Sequence, residues 1–178
     1  MRYADYYDCD ICNGKSVGMS LFVSGCPIHC QGCFNSDIWD FNAGKEWTGE
    51  IEERFIELAG KDYIKRISFL GGSPLCDRNV EDVSLLIQKL KSHYPNKQIW
   101  VYTGYTWDSI ISDECNGSYQ AHEFRKELLP YIDVLVDGPF ELDDKDLSLA
   151  FRGSSNQRII DVPKSLEAGH VVLYYEDN

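Results

Sequence analysis

The sequence has no clustered run of lysine or arginine: 17 basic residues are scattered among 29 acidic ones, for a net charge of −12. Such a surface repels phosphate as a whole, and a non-specific nucleic-acid binder needs a basic patch. Polynucleotide is therefore excluded as the expected partner. No stretch approaches the apolar length of a membrane helix. Residues 1–10 are polar and acidic, the opposite of a secretory leader. Internal repeats, low-complexity tracts and linkers are missing too, and so is an obvious general acid–base pair. These absences lead us to expect a cytoplasmic chain, with neither membrane nor nucleic acid as its partner.

What is present starts with cysteine. The chain has seven, an odd count, and the cytosol keeps thiols reduced, so metal or catalytic roles are expected before disulfides. Three of them, Cys26, Cys30 and Cys33, stand in the spacing C-x3-C-x2-C. They follow a short apolar run, residues 21–23, that reads as a buried strand ending at Ser24-Gly25. Gly25 and Gly32 bracket the thiols and permit the tight turns that let three sulfurs converge. Structural zinc sites close with four protein ligands, and cysteine-held iron–sulfur clusters normally use four. A three-thiol loop leaves one coordination position open unless His29 or a distant cysteine such as Cys76 fills it. Cys9 and Cys12 form a C-x2-C pair, read here as thiols of a lead-in segment and not as a redox pair.

Along the chain, short apolar runs alternate with helical patterns. Residues 1–18 read as an irregular lead-in, and residues 39–47 as a packed aromatic connection. Thr48 caps a helix that ends at Gly60. Residues 67–70 are a strand closed by Gly71-Gly72-Ser73-Pro74, and residues 80–93 carry a helical stripe stopped by Pro95-Asn96. A strand over 99–102 leads into Thr103-Gly104. After a less regular stretch, 107–119, comes a helix over 122–129. A strand over 132–136 runs into Asp137-Gly138-Pro139, and an acidic loop spans 141–149. Strands over 158–162 and 171–175 flank a turn of helix, 164–168. This alternation predicts an α/β fold in one domain, residues 1–178. The expected form is an open partial (β/α) barrel of about five or six mainly parallel strands, too few to close. The thiol loop, G-G-S-P, T-G-Y and D-G-P all follow C-terminal strand ends, the edge where α/β folds build sites.

The thiol spacing after an early strand resembles the signature of the radical S-adenosylmethionine enzymes. The blocks D-I-C-N-G, S-L-F-V-S-G-C-P-I-H-C-Q-G-C-F-N, G-G-S-P-L, I-W-V-Y-T-G-Y, D-V-L-V-D-G-P-F and F-R-G-S-S-N-Q-R resemble, in order, those of the activating proteins of anaerobic (class III) ribonucleoside-triphosphate reductases. This resemblance covers roughly residues 3–161. It implies one 4Fe–4S cluster held by Cys26, Cys30 and Cys33, with S-adenosylmethionine on the fourth iron. It places Gly32, Cys33 and Phe34 beside the adenosine and Gly71, Gly72 and Ser73 at the methionine amino group, with Thr103 and Asp137 near the same edge. In related enzymes an acid usually stands where this chain has Ser73, and Pro-Gly where it has Lys15-Ser16. Arg152, Asn156 and Gln157 either position the ligand or fix the C-terminal loop. Asp137 either binds ligand or partner, or caps a turn.

The implied activity is reductive cleavage of S-adenosylmethionine, with the resulting radical generating a glycyl radical on the large reductase subunit. The implied electron donor is a low-potential protein such as flavodoxin or ferredoxin. Two other readings stay open at this point. One is a radical S-adenosylmethionine enzyme acting on a small molecule, and the other is a non-catalytic, cysteine-ligated metal-binding module.

Overall fold

The computed structural model describes residues 1–112, 114, 115 and 117–175. Its elements run β1 (Arg2–Asp10), β2 (Gly18–Val23), β3 (Lys45–Glu46), α1 (Gly49–Ala59), β4 (Arg66–Gly71), α2 (Val80–His93), β5 (Gln98–Tyr102), α3 (Trp107–Ile111), α4 (Tyr119–Leu128), β6 (Val134–Asp137), β7 (Arg158–Asp161) and α5 (Val162–Ala168). The strands form one open sheet in the order β3-β1-β2-β4-β5-β6-β7.

Helix boundaries follow local chemistry. The Thr48 hydroxyl accepts the Ile51 N–H at 3.4 Å and starts α1. Helix α2 has Glu81 and Asp82 in its first turn and Lys91 and His93 in its last, each sign complementing the helix dipole. Asp161 caps α5, and Gly169 ends it at φ +72°. Residues 107–119, expected to be irregular, include α3 and the start of α4; positions 113 and 116 lie outside the described residues.

The expectation of mainly parallel strands is corrected. The inner strands β2, β4, β5 and β6 pair parallel, but β1 pairs antiparallel with both β2 and β3, and β7 antiparallel with β6. The sheet has seven strands, more than the expected five or six, in an open mixed order. Residues 2–10, read as irregular, are a nine-residue strand. Its buried and exposed positions do not alternate cleanly; on its outer side only Arg2 and Tyr3 are paired, with β3. Residues 171–175 contribute only an isolated bridge, Ile160 to Leu173.

Alternation along the inner strands divides the core. Ile99 and Val101 join Ile67, Phe69, Leu21 and Leu135 under the helices, whereas Trp100, Val134, Val136 and Ile159 form a smaller cluster with Tyr102 and Phe151 packed against it. Near Trp100 lies a buried ion pair. The Arg66 guanidinium, fully enclosed, donates to the Asp10 carboxylate at 2.9 Å and to the Ser68 hydroxyl at 2.7 Å. A Cβ at Gly14 would approach Arg66 to 2.8 Å and one at Gly18 to 2.3 Å. The D-I-C-N-G block thus closes over a buried arginine.

Candidate functional site

The C-terminal ends of β2, β4 and β5 open onto a cavity of about 640 Å³. Strand β2 delivers the chain into the thiol loop, where Gly25 turns at φ +91° and Gly32 at φ +75°. Backbone bonds anchor the loop to the following turn: Gly25 N–H to the Ile38 carbonyl at 2.8 Å and Cys26 N–H to the Trp39 carbonyl at 3.0 Å. Cys26, Cys30 and Cys33 all line the cavity, and all three are free thiols. Burial pushes the Cys30 thiol up, and the neighbouring Cys33 and Cys26 push it further, while the Phe140 backbone opposes the rise. The Asn35 N–H lies 3.4 Å from the Cys33 sulfur.

This donor set raises two possibilities, zinc and an iron–sulfur cluster. Among the described residues, no group of three His, Cys, Asp or Glu side chains is arranged to hold a single metal ion. A tetrahedral zinc would gather sulfurs about 2.3 Å from one point, whereas a cluster takes each thiolate on a different iron and keeps them apart. His29 is exposed and stacks on Trp39, ring centroids 4.7 Å apart. Cys76 is buried, with its thiol pushed up to about 11 by burial, and it is not part of the cavity wall. Three thiols on one wall, without a fourth protein ligand among these candidates, suit an iron–sulfur cluster with an open position.

The other site residues separate into two groups. Gly32, Phe34, Gly71, Gly72 and Thr103 line the same cavity. Phe34 is 63% exposed, at its mouth, in edge contact with Phe140. Ser73 and Asp137 are buried outside the wall. Asp137 accepts the Trp107 N–H at 2.7 Å and both arms of Arg158, at 3.0 and 2.6 Å; this is a capping and ion-pairing arrangement. Ser73 donates its N–H to the Gly25 carbonyl at 2.8 Å, while its hydroxyl has no partner. A Cβ on Gly72 would meet that same Gly25 oxygen at 2.5 Å. The glycines of G-G-S-P therefore let β4 approach the thiol loop.

Sequence reasoning missed several wall residues. Cys12 and Asn13 reach the cavity from the loop after β1, and Tyr102, Phe140 and Phe151, which stand inside the quoted blocks but were given no role, line it too. Of the C-terminal block, Gln157 donates from Nε2 to the Gly138 carbonyl at 3.1 Å and accepts the Gly153 N–H at 2.9 Å. Arg152 donates to the Gln157 carbonyl at 2.9 Å, and Asn156 to that of Pro139 at 2.8 Å. These bonds join the C-terminal loop to the end of β6; the strand pattern hinted at none of them.

A mixed sheet that sets three free thiols on one cavity defines an iron–sulfur protein, and residues 12–160 match a family model described as a 4Fe-4S single cluster domain. The chain is 42% identical over 161 residues to the anaerobic ribonucleoside-triphosphate reductase-activating protein of Vibrio cholerae, covering 89% of this chain and 97% of that one. It is 42% identical over 159 residues to the protein of that name from Escherichia coli (88% and 96% covered), and 39% identical over 161 residues to that from Pasteurella multocida (89% and 96%). The chain belongs to the family of anaerobic ribonucleoside-triphosphate reductase-activating proteins. Among the described residues, no helix is long and apolar enough to cross a membrane.

Proposed function

We propose that this chain is a cytoplasmic activase, a single radical S-adenosylmethionine domain over residues 1–178 acting on the large subunit of an anaerobic ribonucleotide reductase. Cys26, Cys30 and Cys33 would hold one 4Fe–4S cluster, with S-adenosylmethionine bound in the same cavity. When bound, the cluster supplies the electron that splits S-adenosylmethionine into methionine and a 5′-deoxyadenosyl radical, which takes a hydrogen atom from a glycine of the reductase. A flavodoxin or ferredoxin of low potential is the electron source.

The chain's own residues bind, orient and exclude water. Gly32, Phe34, Gly71, Gly72 and Thr103 are the cavity contacts of S-adenosylmethionine. Ser73 and Asp137 support that wall from behind, Ser73 through the Gly25 carbonyl and Asp137 through Arg158. Aromatic Phe140 and Phe151 add apolar surface to the cavity wall. The observation that carries this reading is the meeting of all three thiols with the G-G and T-G turns on one cavity.

The test is anaerobic incubation of the reconstituted protein with reductant, S-adenosylmethionine and the reductase, followed by electron paramagnetic resonance. A glycyl radical is expected with the wild type, and none with Cys30→Ala, which should also yield no 5′-deoxyadenosine. Full turnover by Cys30→Ala would defeat the assignment.

A further inference from the structure

The rim of the cavity is more apolar, and more acidic, than its interior chemistry requires. Leu147 is 79% exposed, more than any other large hydrophobic among the described residues, and it lines the cavity mouth. Phe34 sits at the same mouth, and Leu142, 43% exposed, lies over Gly32, where a Cβ would approach it to 2.9 Å. Apolar surface gathered at an entrance marks a site that something covers. Beside and between these leucines stand exposed carboxylates, Glu141, Asp143, Asp144 and Asp146, against the single ammonium of Lys145, which lies 5.1 Å from the Phe34 ring centroid.

The rim is already built. Ser155 N–H donates to the Asp144 carbonyl at 2.9 Å, Glu141 N–H to the Ser154 hydroxyl at 3.1 Å, and Lys145 forms an antiparallel bridge with Ser154. A partner meeting such a loop loses little free energy to ordering it.

We propose that residues 141–149 form the docking edge for an extended, basic segment of the partner polypeptide, with Leu147 as the apolar anchor. The proposal rests on the function proposed above. Charge selects the occupant. Nucleic acids and anionic lipid surfaces are repelled by four carboxylates. A second copy of this chain carries −12 and would bring the same acidic edge. A small molecule inside the cavity would leave the outer faces of Leu147 and Leu142 wet, whereas a polypeptide crossing the mouth covers them. The carboxylates then steer and orient the segment, and the leucines supply the apolar burial that holds it.

The experiment measures, without oxygen, the affinity of the cluster-loaded protein for the large reductase subunit, in wild type, Leu147→Ser and Asp143→Lys. Leu147→Ser is expected to weaken the complex about tenfold. Asp143→Lys should weaken it about threefold and flatten its salt dependence. Iron content and far-ultraviolet circular dichroism, equal in all three, show that loading and fold are intact. Wild-type binding that both variants retain within about twofold would overturn the docking edge alone. Absence of any wild-type complex would overturn the edge and the proposed function together. Self-association of the isolated wild type that Leu147→Ser abolishes would assign the edge to a second copy and overturn the partner.

Discussion

At Ser16 the backbone adopts φ +70°, a left-handed conformation that a Cβ disfavours by about 1–2 kcal/mol. By its backbone conformation alone, the serine occupies a position suited to glycine. Ser16→Gly is expected to raise stability by about 0.5 kcal/mol, since relief of strain is partly offset by the greater unfolded-state freedom of glycine. Urea denaturation reads this, and an unchanged midpoint would show that the loop already relaxes the strain. Ser73 behaves differently. It is 1% exposed, so restoring an acid there places a carboxylate in a closed space. Ser73→Asp is expected to cost about 2 kcal/mol or more of stability and not to tighten ligand binding. A variant as stable as wild type, with tighter S-adenosylmethionine binding by calorimetry, would show that the side chain reaches the ligand.

At the scale of elements, the loop after β1 is held down by Asp10. Burial alone would raise this carboxyl, but hydrogen bonds from the Ser20 hydroxyl, the Cys12 N–H and Arg66 outweigh it and hold Asp10 below the usual carboxylate range. A depressed folded-state value means that its stabilisation is complete above the unfolded value of about 3.9 and is lost as pH falls through the folded value. Asp10→Asn, which leaves the Arg66 charge buried without a counter-charge, should cost about 3–5 kcal/mol at neutral pH. The gap between wild type and variant should narrow below about pH 4. A gap independent of pH, in denaturation curves across that range, would show that the charge of Asp10 is not what matters.

For the molecule as a whole, cluster loading and stability are linked. Cys26 follows the end of β2 after Ser24 and Gly25, and the thiol loop bonds back to the Ile38 and Trp39 carbonyls, so a group bridging the three sulfurs stabilises the folded chain alone. Reconstituted protein is expected to hold about four irons and four sulfides and to melt several degrees above the apoprotein. Equal melting temperatures, or zinc in place of iron, would contradict this.

The boundaries of α1 and α2 and the inner strands were legible because periodicity and caps are local, whereas α3 and the first turn of α4 were not. Thr48, the stripe over residues 80–93 and the run over 99–102 need no distant partner to be recognised. The thiol spacing was legible for the same reason: Cys26, Cys30 and Cys33 share one short loop. Strands β1 and β3 were not, although the edge strand β7 was. Residues 2–10 lack a clean alternation, and only pairing with β2 and β3 makes them a strand. Nor does sequence distinguish a wall residue from one that supports it. Gly72 faces the cavity, whereas Ser73, its neighbour, is turned into the packing behind it. Asp137 was equally open to ligand or capping roles until Arg158 and the Trp107 N–H were found on its carboxylate. Local order is written in neighbouring residues. Which face a side chain takes depends on what distant strands bring against it, and only the tertiary structure decided that.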